Sequence, residues 1–126
     1  EMGLPFIYIR SSSKGHGKQN QIEGAYHEGQ SVIVIEDLIS SGKSSLEAVN
    51  ALRKERLDVK GLISIFTYGF DKASENLKKA DCEFISLCDY STLLEEAVKQ
   101  DYIKKSDIKV LEQWRENPSK WKPKND

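Results

Sequence analysis

The feature that most constrains the fold is a short apolar run that stops abruptly at two carboxylates. Val32-Ile33-Val34-Ile35 is followed by Glu36 and Asp37, and then by a turn of small residues, Ser40-Ser41-Gly42. A continuous apolar run of this length is typical of a central strand in a parallel sheet, because both faces of such a strand are covered. The segment therefore predicts a buried parallel strand whose carboxyl end carries polar groups.

The residues after this turn have the pattern of an amphipathic helix that begins near Ser44 and ends near Arg56. Ser44 and Glu47 have the spacing of a capping box. Apolar residues then recur at helical spacing, at Leu46, Val49 and Leu52.

The rest of the chain continues this alternation of strand and helix. Upstream, the apolar residues 4–9 predict a strand, and the polar residues 10–21 predict a long mobile loop. Downstream, strands are predicted over 62–66 and 83–87, and helices over 71–80, from a capped start at Thr92 and Glu95, and over 106–117 before Pro118. The pattern predicts one α/β domain with an open, mainly parallel sheet flanked by helices.

Charge and composition exclude several classes of protein. The 126 residues carry a formal net charge of −1, whereas a nucleic-acid-binding domain usually has a positive excess or a basic stripe. No apolar stretch approaches the roughly 20 residues that cross a bilayer. The two cysteines, Cys82 and Cys88, predict free thiols, because small secreted domains usually have more of them. We therefore expect a cytoplasmic protein with no nucleic-acid partner and no membrane partner.

The end of the predicted strand combines two binding chemistries. Ligands of open α/β sheets bind beyond the carboxyl ends of the strands, where Glu36 and Asp37 can accept hydrogen bonds from sugar hydroxyls. The unpaired N–H groups and positive dipole of a helix start suit a phosphate, and the hydroxyls of Ser40, Ser41 and Ser44 add donors. A solvated turn without function is the alternative, which the apolar strand before it and the helix after it disfavour. The segment predicts a site for a phosphorylated ribose.

A nucleotide-binding P-loop is the rival interpretation of this turn, because Gly42-Lys43-Ser44 imitates the end of a Walker A sequence. That motif needs a glycine five residues before Gly42. The chain has Asp37 there, and a carboxylate repels a nucleotide phosphate. The spacing and the charge exclude a P-loop.

Residues 32–44 resemble the signature of type I phosphoribosyltransferases. The resemblance implies that Glu36 and Asp37 hold the ribose hydroxyls of phosphoribosyl diphosphate. It further implies that the donor and its 5-phosphate bind along the following turn, at Leu38, Ile39, Ser40, Ser41, Gly42, Lys43 and Ser44. The segment from 32 to 45 is accordingly the expected donor-binding motif, with Ser40 also touching the acceptor base.

The polar loop is similar to the catalytic loop of orotate phosphoribosyltransferases. The similarity lies in Tyr8-Ile9-Arg10, Lys14-Gly15-His16-Gly17 and Asn20-Gln21-Ile22-Glu23-Gly24, and it extends to residues 65–70 and 111–118. It implies that Arg10, Lys14 and His16 contact the diphosphate, where cations stabilise the departing charge. Lys14, His16 and Asp37 are then the candidate catalytic residues. In this family the loop usually reaches into the neighbouring subunit, which implies a homodimer.

The family resemblance implies an activity: magnesium-dependent transfer of ribose 5-phosphate from phosphoribosyl diphosphate to orotate, in pyrimidine biosynthesis. The Mg²⁺ is expected to be held mainly through the donor. A phosphoribosyltransferase for another base, or a regulator that senses the donor without catalysis, remains an alternative.

The chain also departs from the pattern of that family. Ser11 stands where some branches have a second lysine, and Lys43 stands where a small residue is more common. Family members begin with an N-terminal hood and first strands, so the chain is expected to be the C-terminal part of such an enzyme. Trp114 is expected to face the core and is assigned no chemistry.

Overall fold

The secondary structure alternates between strands and helices along most of the chain. A computed structural model describes residues 3–10 and 21–122. Its strands are β1 (Tyr8–Ile9), β2 (Ile22–Glu23), β3 (Ser31–Ile39), β4 (Asp58–Thr67) and β5 (Phe84–Asp89). Its helices are α1 (Lys43–Lys54), α2 (Asp71–Lys79), α3 (Tyr90–Lys99) and α4 (Ile108–Glu116), the last preceded by a 3-10 turn over Lys105–Asp107.

The main sheet consists of three parallel strands in the order β3-β4-β5. Val34 pairs with Leu62, and Leu62 pairs with Phe84, so the start of β5 lies beside the middles of β3 and β4. Helix α1 connects β3 to β4, and α2 connects β4 to β5. The α/β prediction with an open parallel sheet and flanking helices is confirmed.

The hydrophobic core lies between this sheet and the two connecting helices. Because the strand order is sequential and parallel crossovers are right-handed, both helices lie against the same face of the sheet. The most deeply buried residues come from both layers: Val34, Ile39 and Leu62 from the sheet, and Val49, Leu52 and Leu77 from the helices. The helical spacing predicted for Val49 and Leu52 is therefore confirmed.

The opposite face of the sheet is apolar and exposed. Its side chains are between 56% and 74% exposed: Ile33, Ile35, Ile65, Ile85 and Leu87. The prediction that the 32–35 strand is central and covered on both faces is wrong for the described residues. Strand β3 lies at a sheet edge, and both crossover helices lie on one face, so nothing in the described ranges shields the other. No helix among them is both long and apolar enough to cross a membrane.

The first predicted strand is much shorter than expected. Only Tyr8 and Ile9 of residues 4–9 are in a strand, which pairs antiparallel with β2. Phe6 is 78% exposed, whereas Ile7 and Ile9 are partly buried against the hydrophobic core, so only part of this apolar segment is buried. Residues 11–20, most of the predicted mobile loop, lie outside the described residues.

The start of α1 differs from its prediction. The helix begins at Lys43, and its N-cap is Gly42 in the left-handed conformation, with no side-chain cap hydrogen bond. The predicted capping box between Ser44 and Glu47 is therefore wrong. The glycine turns the chain directly from the end of β3 into the helix, so the helix starts before Ser44 can cap it.

The start of α3 also differs, for a similar reason. Asp89 ends β5 and caps the helix, and its carboxylate accepts a hydrogen bond from the N–H of Thr92 at 2.8 Å. The predicted capped start at Thr92 and Glu95 is wrong by three residues. The strand passes into the helix without a loop, which the sequence spacing alone does not reveal.

Candidate functional site

The two predicted carboxylates lie close to the carboxyl end of β3. Glu36 is half-buried and Asp37 is exposed. A carboxylate oxygen of Asp37 accepts a hydrogen bond from the N–H of Leu38 at 2.6 Å. The two residues keep carboxylate oxygens available for hydroxyl groups of a ligand.

The end of β3 is fixed by its neighbour β4. The carbonyl of Ile39 accepts hydrogen bonds from the N–H of Tyr68 at 3.2 Å and from the hydroxyl of Thr67 at 3.3 Å. The same hydroxyl accepts a bond from the N–H of Gly69 at 3.1 Å. Ile39 itself is 1% exposed, so within the predicted binding segment its side chain belongs to the core and anchors the turn that follows.

The turn after Ile39 packs against α2. Ser40 is exposed, Ser41 is half-buried and Gly42 is buried. Gly42 has a φ of 73°, and a Cβ added there would lie 3.6 Å from atoms of Ala73 and Leu77. The backbone of the turn is therefore held by the helix behind it.

The start of α1 is suited to an anion. No side chain caps it, and its first turn contains no acidic residue, so its N–H groups and the positive end of the helix dipole are available. Lys43 and Ser44 are exposed there and add a cation and a hydroxyl. The two carboxylates predicted to accept hydrogen bonds from ribose hydroxyls and the helix start predicted to bind a phosphate therefore lie on one continuous segment.

Arg10 lies elsewhere, at the end of β1. Its guanidinium forms an ion pair with Glu23 at 2.5 Å, and both side chains are about half exposed. The N–H of Arg10 also donates to the carbonyl of Gln21 at 2.9 Å. Exposed ion pairs of this kind stabilise by about 1 kcal/mol or less, so Arg10 can exchange Glu23 for a ligand at low cost. Lys14 and His16 lie outside the described residues.

The carboxylates fit a magnesium ion only together with a substrate. Within residues 3–10 and 21–122, no three His, Cys, Asp or Glu side chains cluster as metal ligands. Mg²⁺ is commonly held through one or two carboxylates, waters and substrate phosphates. Glu36 and Asp37 would supply the one or two carboxylates of such a site, and the substrate and water would supply the other ligands.

Several residues that shape the site were not predicted. Thr67 fixes the strand end, and Asn76 donates from its side-chain amide to the carbonyl of Ser41 at 3.1 Å. Ser45 is 1% exposed, and its hydroxyl has no hydrogen-bond partner in the described structure. The sequence held one signal for Asn76: it lies three residues after the small apolar Ala73 in the predicted helix over 71–80, so the two share one side of that helix.

An aromatic cluster lies beside the carboxyl ends of β4 and β5. The ring of Tyr68 contacts four others at centroid distances of 5.3 to 5.9 Å: Phe66, Phe70, Tyr90 and Trp114. The hydroxyl of Tyr90 donates to the carbonyl of Leu111 at 3.3 Å, which fastens α4 to the start of α3. Trp114, predicted to face the core, is half-buried and packs in this aromatic cluster, which is separate from the main hydrophobic core. The two cysteines, both within the described residues, are free thiols.

Comparison with known proteins shows which proteins this chain resembles. No protein-family model matches the chain. A Bacillus subtilis protein is 51% identical over 117 residues, and a Phocaeicola vulgatus protein is 46% identical over 121 residues. Both are named orotate phosphoribosyltransferase, and the matches cover 93% and 96% of this chain. Over almost its whole length, the chain is therefore similar to orotate phosphoribosyltransferases. It spans 54% and 57% of the lengths of these two relatives.

Solved structures of orotate phosphoribosyltransferases and their relatives share the fold. Leishmania donovani UMP synthase superposes with a TM-score of 0.72 at 30% identity, over 90% of this chain and 25% of that one. Orotate phosphoribosyltransferase from Mycobacterium tuberculosis, in complex with 5-phospho-α-D-ribosyl 1-diphosphate, superposes with a TM-score of 0.59 at 26% identity. That match covers 69% of this chain and 48% of the other. The similarity to orotate phosphoribosyltransferases therefore lies in both sequence and fold.

Proposed function

We propose that the chain provides the donor-binding part of an orotate phosphoribosyltransferase. The reaction joins N1 of orotate to C1 of the ribose of phosphoribosyl diphosphate, releases diphosphate and gives orotidine 5-monophosphate. The observation that carries the proposal is the continuous segment from Glu36 to Ser44. It places two carboxylates beside a helix start that has no side-chain cap and no acidic residue in its first turn.

Positioning of the ribose is the first task of this segment. Glu36 and Asp37 would accept hydrogen bonds from the two ribose hydroxyls, while the turn and the first residues of α1 would bind the 5-phosphate. Two separate attachments fix the sugar in one orientation, which lowers the entropic part of the barrier. The carboxylates also stabilise the positive charge that develops on the sugar as the diphosphate departs.

Stabilisation of the leaving group is the second task. Arg10, Lys14 and His16 would provide positive charge around the diphosphate, where negative charge builds up as the C1–O bond breaks. Arg10 can leave its exposed pair with Glu23 at low cost. A loop that closes over the diphosphate would also exclude water.

Glu36 and Asp37 would help to hold a magnesium ion that is bound mainly through the donor. Its chemistry there is to neutralise part of the charge on the diphosphate. The protein residues still orient the ribose and hold the 5-phosphate. Ser40, exposed at the start of the turn, would contact orotate.

The proposed biological setting is pyrimidine biosynthesis in the cytoplasm, with the enzyme acting as a homodimer. The dimer follows from the loop similarity, in which the cationic loop serves a neighbouring subunit. Analytical ultracentrifugation tests it: a single species at the monomer mass across the concentrations used would contradict the homodimer.

The ribose assignment is tested by Asp37→Ala. Loss of hydrogen bonds to a charged group costs about 1.5–3 kcal/mol, so we expect affinity for phosphoribosyl diphosphate to fall by about tenfold or more. Asp58→Ala is the matched control, because Asp58 is an aspartate at the amino end of β4, opposite the site. Calorimetry of both folded variants checks the prediction. Equal donor affinity in wild type and Asp37→Ala would rule out the role of Asp37.

A further inference from the structure

Asn76 connects α2 to the phosphate-binding turn. Its side-chain amide donates a hydrogen bond of 3.1 Å to the carbonyl of Ser41, 35 residues earlier in the chain. The side chain is half-buried, in the same helical stripe as Ala73 and Leu77, which lie behind Gly42. The bond is thus a tertiary contact in a packed environment, where loss of a partner leaves a carbonyl unsatisfied.

This bond fixes the orientation of the next peptide N–H. The described peptide bonds are all trans, and in a planar trans peptide the C=O and N–H groups point in opposite directions. Because the carbonyl of Ser41 points toward α2, the N–H of Gly42 points away from it. That N–H has no hydrogen-bond partner among the described residues, so it is available as a donor.

The turn packs against α2, but among the described residues the carbonyl of Ser41 accepts no hydrogen bond other than that from Asn76. Gly42 has a φ of 73° and the conformational freedom of a glycine, and no side chain caps the helix start. Without the amide of Asn76, the carbonyl of Ser41 could turn toward water and carry the N–H of Gly42 with it. The asparagine therefore selects one of the orientations open to this peptide.

We propose that Asn76 is a positioning residue for the 5-phosphate: it holds the Ser41–Gly42 peptide so that the N–H of Gly42 faces the phosphate of the donor. The proposal rests on the proposed function, because it needs a phosphate in this turn. Asn76 acts through the backbone of another residue and does not itself touch the ligand.

Binding of two probes tests the proposal. Ribose 5-phosphate occupies the phosphate turn, whereas inorganic diphosphate represents the leaving group, which binds elsewhere. In Asn76→Ala and in Asn76→Leu, which keeps side-chain bulk but has no donor, we expect affinity for ribose 5-phosphate to fall about tenfold. The affinity of both variants for diphosphate should stay within twofold of the wild-type affinity, which is a minor change compared with the tenfold loss for ribose 5-phosphate. Asn50→Ala, which removes an exposed asparagine from α1, is the control and should bind both probes like wild type.

An equal loss of both probes, or no loss of either, would overturn the positioning role. A ligand-free readout separates this failure from failure of the proposed function. By NMR, the amide of Gly42 should change its chemical shift and its hydrogen-exchange rate in Asn76→Leu and keep both in Asn50→Ala. An unchanged Gly42 amide contradicts the proposed restraint even if the probes bind. If the Gly42 amide changes in Asn76→Leu but the wild-type chain binds no ribose 5-phosphate, the proposed function is contradicted, and the phosphate role of Asn76 with it.

Discussion

Gly42 is the residue at which backbone conformation and the proposed phosphate site coincide. Its φ of 73° is unfavourable for any residue with a Cβ, while the space around it would accept one, since the nearest atoms are 3.6 Å away. A substitution there therefore acts through backbone strain. Ser45, three residues further along, is 1% exposed, and its hydroxyl has no hydrogen-bond partner in the described structure.

Gly42→Ala should lower both stability and affinity for ribose 5-phosphate. The left-handed conformation costs a non-glycine residue roughly 1–2 kcal/mol, which denaturant unfolding measures. Gly29→Ala is the control, because Gly29 has a φ of 79° with open space around it and lies outside the binding segment. It should lose similar stability and keep its affinity. Equal affinities in the two variants would contradict the placement of the phosphate at Gly42.

At the scale of elements, the capping of α3 by Asp89 makes its stability depend on pH. The hydrogen bond from the N–H of Thr92 holds the pKa of Asp89 below its ordinary value of 3.8. A carboxyl whose pKa is lowered by folding stabilises the fold above its ordinary pKa, and this contribution is lost as the pH falls through the folded pKa.

The substitution Asp89→Asn isolates this effect, since it keeps a capping oxygen and removes the charge. We expect wild type to melt at a higher temperature than Asp89→Asn at neutral pH. The difference should shrink as the pH falls below 4, because wild type then becomes protonated. Thermal melting between pH 7 and pH 3 measures it. A difference that stays constant over this range would contradict the charged cap.

The sequence predicts the order and type of the main elements better than their boundaries. The run at 32–35, ended by Glu36, was sufficient to place a strand, a turn and a helix, because apolar patterning and small-residue turns are local signals. The helix caps were not predictable in the same way. Ser44 has the spacing of a cap, but the helix starts at Lys43 because Gly42 turns left-handed against α2, which is a tertiary effect.

The contacts that complete the candidate site were also beyond local patterns. The bonds from Thr67 to Ile39 and from Asn76 to Ser41 join residues 28 and 35 positions apart. Their pairing depends on strand order and helix placement, which the spacing of residues does not specify. The residues proposed to bind the donor could therefore be named from the sequence, whereas the contacts that hold their segment in position could not.

At the scale of the whole molecule, the two faces of the sheet should respond differently to substitution. Leu62 is 2% exposed on the core face, and Leu87 is 74% exposed on the opposite face. Leu62→Ala should cost about 2–5 kcal/mol, whereas Leu87→Ala should cost about 0.5 kcal/mol or less. Urea unfolding of the 126-residue chain measures both. A large cost at Leu87 would mean that this face is covered in solution.

The proposed function requires that the segment from Glu36 to Ser44 binds phosphoribosyl diphosphate. The most direct measurement is a calorimetric titration of the 126-residue chain with this donor, with and without Mg²⁺, after circular dichroism has shown that the chain is folded. We predict saturable binding of one donor per chain that strengthens when Mg²⁺ is present. Absence of binding by the folded chain under both conditions would contradict the assignment of the donor site to this segment.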